Sequence, residues 1–274
     1  MAYPSEIETG EWLPVLDIPE PARQRRLTVL LRLLLVIPQI VVVFVLGLLA
    51  WVVTVIGWFA ALVLGRLPGF AERFLAIFLA YSTRVNAYLM LLVDAYPPFA
   101  FRARNYPVAI ELRPGRLNRW AVLFRIILAI PAMIVESVIN AGWWGLAFFC
   151  WLVVLILGRN PRPLFEATAA IARYTMRFEA YMMMLTSAYP KGLFGDRNLR
   201  QVPDAVTKPV ATRPSATRPL LLSSLGTALL ILFIVVGLLS SVSSSVTTHY
   251  DNQSAIQSAI RSAVWSAGSD LQHG

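Results

Sequence analysis

The sequence predicts an all-α fold: a polytopic helical membrane protein with an internal duplication into two helical-hairpin-plus-interfacial-helix repeats and a single C-terminal transmembrane helix. Three observations predict it. Of 274 residues 57% are hydrophobic and only 14% charged, whereas soluble chains run at roughly 45–50% and about 25%. Two apolar runs and a third, shorter one are each long enough for a bilayer, which takes roughly 20 residues. A block of sequence also recurs at a constant offset of 93 residues, the mark of a repeat architecture.

The duplication is read residue by residue. Leu30–Pro38 is LLRLLLVIP and Leu123–Pro131 is LFRIILAIP; Trp51 and Trp58 match Trp144 and Trp151, and Gly65-Arg66 matches Gly158-Arg159. The register continues through Tyr81/Tyr174, Arg84/Arg177, Ala87-Tyr88/Ala180-Tyr181 and Tyr96-Pro97/Tyr189-Pro190. An echo before each copy, YPSEIE at Tyr3 and YPVAIE at Tyr106, lies 103 apart, so the first copy carries about ten extra residues at its entry. The expected organisation is a first repeat over 1–100, a second over 101–195, a Pro/Arg-rich linker over 196–219, a transmembrane helix over 220–239 and a Ser/Ala-rich tail over 240–274.

Residues 27–64 contain one charge, Arg32, in 38 positions, too long for one upright crossing. In the second copy the middle of this run is ESVINAGWWG, Glu136–Gly145, a polar and Gly-rich cluster that suits a turn. Hairpins are therefore expected, with helices at 27–46 and 48–64, then 119–137 and 143–157. The competing reading is one long tilted span from Pro38 or Pro131 onward, since a Pro starts or kinks a helix equally well. The helices at 71–95 and 165–188 carry Glu72, Arg73, Arg84 and Asn86, or Glu166, Arg173, Arg177 and Glu179. A charged stripe beside Leu, Met, Phe and Tyr reads as a helix lying in the membrane interface; the alternative is a span with its charges turned inward.

Charge sets the expected topology. The segment Ala100–Trp120 has five Arg and one Glu, and Lys191–Pro219 has six basic and two acidic residues, so both are expected to be cytoplasmic. Arg23, Arg25 and Arg26 put the amino terminus on the same side, and the hairpins return Arg66 and Arg159 to it. The expected location is a bacterial plasma membrane with the carboxyl terminus outside. Residues 1–26 hold five acids and three Arg, and no small-residue cleavage site follows, so no cleavable signal peptide is expected. The net charge of +9 comes from 22 Arg and two Lys. Most Arg flank apolar runs and none interleave with aromatics on a polar face, which points to anionic lipid headgroups as partner and away from nucleic acid.

The two His, His249 and His273, lie near the end of the chain, and the one Cys, Cys150, sits in an apolar run opposite Gly57 of the other copy. This composition excludes a Cys/His zinc site, an intrachain disulfide and a His-based triad in the membrane body. No phosphate loop, dinucleotide turn, HExxH or GxSxG occurs; no cofactor, no metal and no enzymatic activity are expected. Glu136 and Asn140 are the candidate polar membrane site, because they interrupt an apolar run where the first copy has Val43 and Gly47. Arg84, Arg177, Arg66 and Arg159 are the candidate lipid or partner contacts. The tail tetrads SAIQ, SAIR, SAVW and SAGS place Ile256, Ile260 and Val264 on one stripe, a short docking helix over 251–269 for an extracytoplasmic partner or a low-complexity tail.

With its paired Arg-x-x-x-x-Ile-Pro, Gly-Arg-x-Pro and Arg-x-x-Ala-Tyr…Tyr-Pro patterns, the chain resembles the bacterial membrane family known as domain-of-unknown-function family 4389, over roughly residues 1–195. VTVIGWFAALVLGRLP at Val53–Pro68 and RVNAYLMLLVDAYPPF at Arg84–Phe99 carry the resemblance best. The second copy departs where Glu179 replaces Asn86, Ser187 replaces Asp94 and Lys191 replaces the second Pro. The resemblance implies an integral membrane protein and brings no activity or catalytic residue. The function expected is a non-enzymatic accessory or scaffold subunit of a larger membrane complex. A small channel or transporter of two parallel repeats is the alternative, and a membrane-embedded lipid-modifying enzyme comes third.

Overall fold

The computed structural model describes residues 13–101, 103, 105–112, 117–195 and 215–243. In chain order these form β1 (Val15–Asp17), α1 (Arg26–Leu30), α2 (Arg32–Leu64), α3 (Gly69–Leu89), β2 (Ala109–Glu111), α4 (Arg119–Leu123), α5 (Arg125–Leu157) and α6 (Arg162–Met182), followed by α7 (Ser224–Ser243). The chain is mostly helical and falls into two copies, each a five-residue helix, a 33-residue helix and a 21-residue helix. By length and hydropathy α2, α5 and α7 could each cross a membrane.

The expected hairpins do not form. Both runs are single helices, with Pro38 and Pro131 inside them, and at 1.5 Å per residue each is about 50 Å long. The polar and glycine residues of the expected turn have other uses. Asn140 and Glu136, one turn apart on one face, bond to each other along α5, Gly142 meets α7, and Trp143 is buried. What stops each helix is glycine: Gly65 and Gly158 are left-handed, with φ of 68° and 64°, and close the last turn through bonds to Ala61 and Val154.

The copies face each other head to tail. Trp58 Nε1 donates to the Val122 carbonyl at 2.9 Å, and Trp151 Nε1 to the Val29 carbonyl at 2.8 Å. The Gln24 N–H donates to Gly158 at 2.9 Å, and that of Leu117 to Gly65 at 3.2 Å. Each pair is the other shifted by 93 residues, so the contacts are reciprocal, as across a twofold axis. The end of α2 therefore lies at the start of α5 and the end of α5 at the start of α2, which makes the two long helices antiparallel and perpendicular to that axis.

Layers stack along the axis. β1 and β2 pair antiparallel with Leu16 opposite Ile110, and the ribbon rests on α6 and α3, which pack on each other. On their far side α3 packs along α2, and α6 along α5. The middle layer is the core: Leu75, Leu79, Tyr88, Ala167, Ala170 and Ile171 are sealed from solvent. Helices α3 and α6, expected to lie in a membrane interface, do not present a charged stripe outward: α6 is buried over most of its length because α5, α3 and β1 all cover it. The exposed large apolar residues instead lie mainly on α1, α2, α4, α5 and α7.

The chain then descends through the layers in order. The Ala216 N–H donates to Ile18 at 2.8 Å, and the Thr217 hydroxyl to the Leu16 carbonyl at 2.5 Å, both on the ribbon side. Ser223 reaches Glu166 of α6, and Gly237 meets α5 at Val138 and Gly142. Thus α7 starts against α6 and meets α5 farther along, around Val138 and Gly142. It begins at Ser224 and not at the expected residue 220, since Leu220 and Leu222 are buried in an extended lead-in. The tail tetrads and the linker 196–214 lie outside the described residues.

Candidate functional site

One polar cluster runs along α6, which faces α5 on one side and α3 on the other. Glu136 and Asn140 share a face of α5, and Asn140 Nδ2 donates to Glu136 Oε1 and, at 3.3 Å, to the Thr175 hydroxyl of α6. One turn on, Glu179 accepts from the Ser82 hydroxyl of α3 at 3.3 Å. Burial pushes the Glu179 carboxyl up to about 7; the Ser82 hydrogen bond opposes the shift and the nearby Glu136 adds to it. The structure thus joins the predicted pair Glu136 and Asn140 to Thr175, Glu179 and Ser82. Sequence reasoning missed those three as site residues. The available signal was the 93-residue register, which pairs Ser82 with Thr175 and Asn86 with Glu179, two polar positions one helical turn apart in each copy. Acidity is confined to the second copy, for the counterparts of Glu136 and Glu179 are Val43 and Asn86.

Two of the four predicted lipid-contact arginines are corrected. Arg84 and Arg177 are each 4% exposed. Arg84 donates to the carbonyls of Ala80, Ala100 and Phe101 at 2.9, 3.1 and 3.0 Å. Arg177 donates to Pro14 at 3.0 Å and Lys191 at 2.8 Å. A guanidinium forks to several acceptors at once, so these side chains close loops over the core where a snorkelling chain would reach outward. Arg66 and Arg159, by contrast, are exposed just past the glycine caps.

A second cluster fixes α7. Glu166, held by Arg162 at 3.2 Å, accepts from the Ser223 backbone N–H at 2.7 Å and its hydroxyl at 2.6 Å. A carboxylate there meets the unpaired N–H groups and positive end of the helix dipole. Lower down, a Cβ on Gly142 would stand 1.7 Å from the Phe233 carbonyl oxygen and one on Gly237 1.9 Å from that of Val138, so the two backbones cross at a distance only glycine permits. Cys150 is buried. Among the described residues no group of three or more His, Cys, Asp or Glu could hold a metal ion.

Fold and site together define a duplicated helical protein, twofold in plan, with three helices apolar and long enough for a membrane and an acidic cluster where the copies meet. The chain belongs to the family described as Domain of unknown function (DUF4389), whose family model matches residues 26–100 and 119–193, two tandem copies covering more than half of the chain. No curated protein and no solved structure matches it.

Proposed function

We propose that the chain is a non-enzymatic integral protein of the bacterial plasma membrane that serves as an accessory or scaffold subunit of a larger membrane assembly. The observation that carries this reading is the layering. The twofold axis runs through the β-ribbon, where Arg218 bonds Glu111 and pairs with Asp17 at 3.6 Å. Were α2 and α5 to stand upright, this ionic ribbon would lie at mid-membrane, where charge is costly. With the axis along the membrane normal, the ribbon faces water, α2 and α5 lie flat as an oily raft, and α7 alone crosses. Arg66 and Arg159 then share one side, as the basic flanks require.

A raft with one crossing helix has broad flanks for partners and no ring of helices around a path. On α5 the flank is taken by α7. The corresponding stretch of α2, with Val45, Leu48, Leu49 and Val52 about half exposed, is open to a partner's apolar span. Mild detergent extraction from native membranes with mass spectrometry tests this: a defined set of membrane proteins should co-purify and be lost on V45S/L49S. A chain that always runs alone would sink the idea.

The second reading, a small channel or transporter, is favoured by the carboxylates Glu136 and Glu179 at the junction of the copies, where repeat-built carriers place their sites. Proteoliposome ion flux abolished by Glu136→Gln would promote it, and inert liposomes would remove it.

A further inference from the structure

The two copies differ at a place where one of them keeps a buried charge and loses its partner. In the first copy Arg32 is 1% exposed and pairs with Asp94 at 3.4 Å. The same carboxylate accepts from the Thr28 hydroxyl at 2.8 Å and from the Arg25 backbone N–H at 3.4 Å, while Gln24 accepts from Arg32 at 3.1 Å. Asp94 thus fills a cradle of donors at the head of α2.

In the second copy Arg125 is buried to the same degree, 4% exposed. Yet Leu117 stands for Gln24, Ala121 for Thr28 and Ser187 for Asp94. Arg125 donates to the Thr186 carbonyl at 2.5 Å and lies 4.0 Å over the Tyr181 ring; no carboxylate among the described residues pairs with it. A guanidinium cannot shed its charge at neutral pH, and an uncompensated buried charge is strongly unfavourable. Ser187 is exposed and shorter than the Asp it replaces, so the cradle is reached from the surface.

We infer that the head of α5 is an anion-binding site for a phosphate group, which takes the place that the Asp94 carboxylate holds at the head of α2. Its donors are the Arg125 guanidinium, the Asn118 backbone N–H in the position of that of Arg25, and the Ser187 hydroxyl. A planar fork beside an N–H and an O–H matches a tetrahedral oxyanion. The phosphodiester of a phospholipid and free inorganic phosphate offer the same chemistry.

The test is thermal unfolding of the full chain in detergent at constant ionic strength, titrated with phosphatidylglycerol, with inorganic phosphate, or with a phosphate-free diacyl glycolipid. The melting temperature should rise with phosphatidylglycerol and not with the glycolipid; a rise with inorganic phosphate as well assigns the site to phosphate from either source. Ser187→Asp should raise the melting temperature without ligand and weaken the apparent affinity at least about tenfold. Asp94→Ser should add a second anion response by emptying the first cradle. A wild type indifferent to both phosphate compounds, or a Ser187→Asp variant that responds as the wild type does, overturns the inference.

Discussion

At the scale of single residues, the interior charges divide into those that hold the fold and one whose protonation is set by it. Glu179 belongs to the second kind. Its carboxyl, raised by burial to about 7, favours the protonated form when folded, so its contribution to stability is whole below the ordinary carboxylate value and is lost as pH rises through about 7. The folded protein should therefore lose stability between pH 5 and pH 8, by about 1–2 kcal/mol once water reaching the partly exposed group is counted. Glu179→Gln should flatten that dependence and melt higher than the wild type at pH 8; parallel profiles would refute the assignment. Arg177 belongs to the first kind. A lysine ammonium cannot fork between Pro14 and Lys191, and Arg177→Lys should cost about 2–4 kcal/mol in chemical unfolding while leaving lipid binding unchanged. The sequence exposed these arginines as matched positions but not their use, because their acceptors are loop carbonyls far along the chain, which no residue type announces.

At the scale of elements, the lesson is in the two long helices. Their existence, copy number and glycine stops were legible, since apolar runs and a Gly-Arg-x-Pro break stand out in any reading. The hairpin expectation fails because length does not force a bend: 38 apolar residues exceed one upright crossing, yet the run continues as one helix through its polar, glycine-bearing patch. Glycine in such a patch has another use, the close approach of a neighbouring helix, and that neighbour, α7, lies some 90 residues downstream. The crossing gives a direct test. The first copy carries Leu49 where the second carries Gly142, so Gly142→Leu imposes the first copy's surface on α5. With Cys150 replaced by Ala, cysteines at Gly145 and Val236, where a Gly145 Cβ would come within 3.0 Å of Val236, should form a disulfide in the parent and fail to do so once Gly142→Leu is added. Persistence of that bond would mean the helices tolerate separation by a full side chain.

At the scale of the whole molecule, the proposed membrane placement is argued from the symmetry of the two copies, because hydropathy alone offers three candidate spans. In the proposed placement α7 alone runs along the bilayer normal. Burial of the charged ribbon in lipid is the costlier alternative, and the proposed placement avoids it by laying α2 and α5 in the membrane plane. Cysteine substitutions in a Cys150→Ala background separate the arrangements by labelling from either side of sealed vesicles. With the axis along the normal, cysteines at Arg66 and Arg159 should react from the same side, one at Leu48 from neither, and one at Ser254 from the opposite side. Upright antiparallel helices would instead put Arg66 and Arg159 on opposite sides, because each terminates one of two helices that run in contrary directions. Labelling in that pattern would force the ribbon into lipid and return the acidic cluster between the copies to the midplane of a carrier.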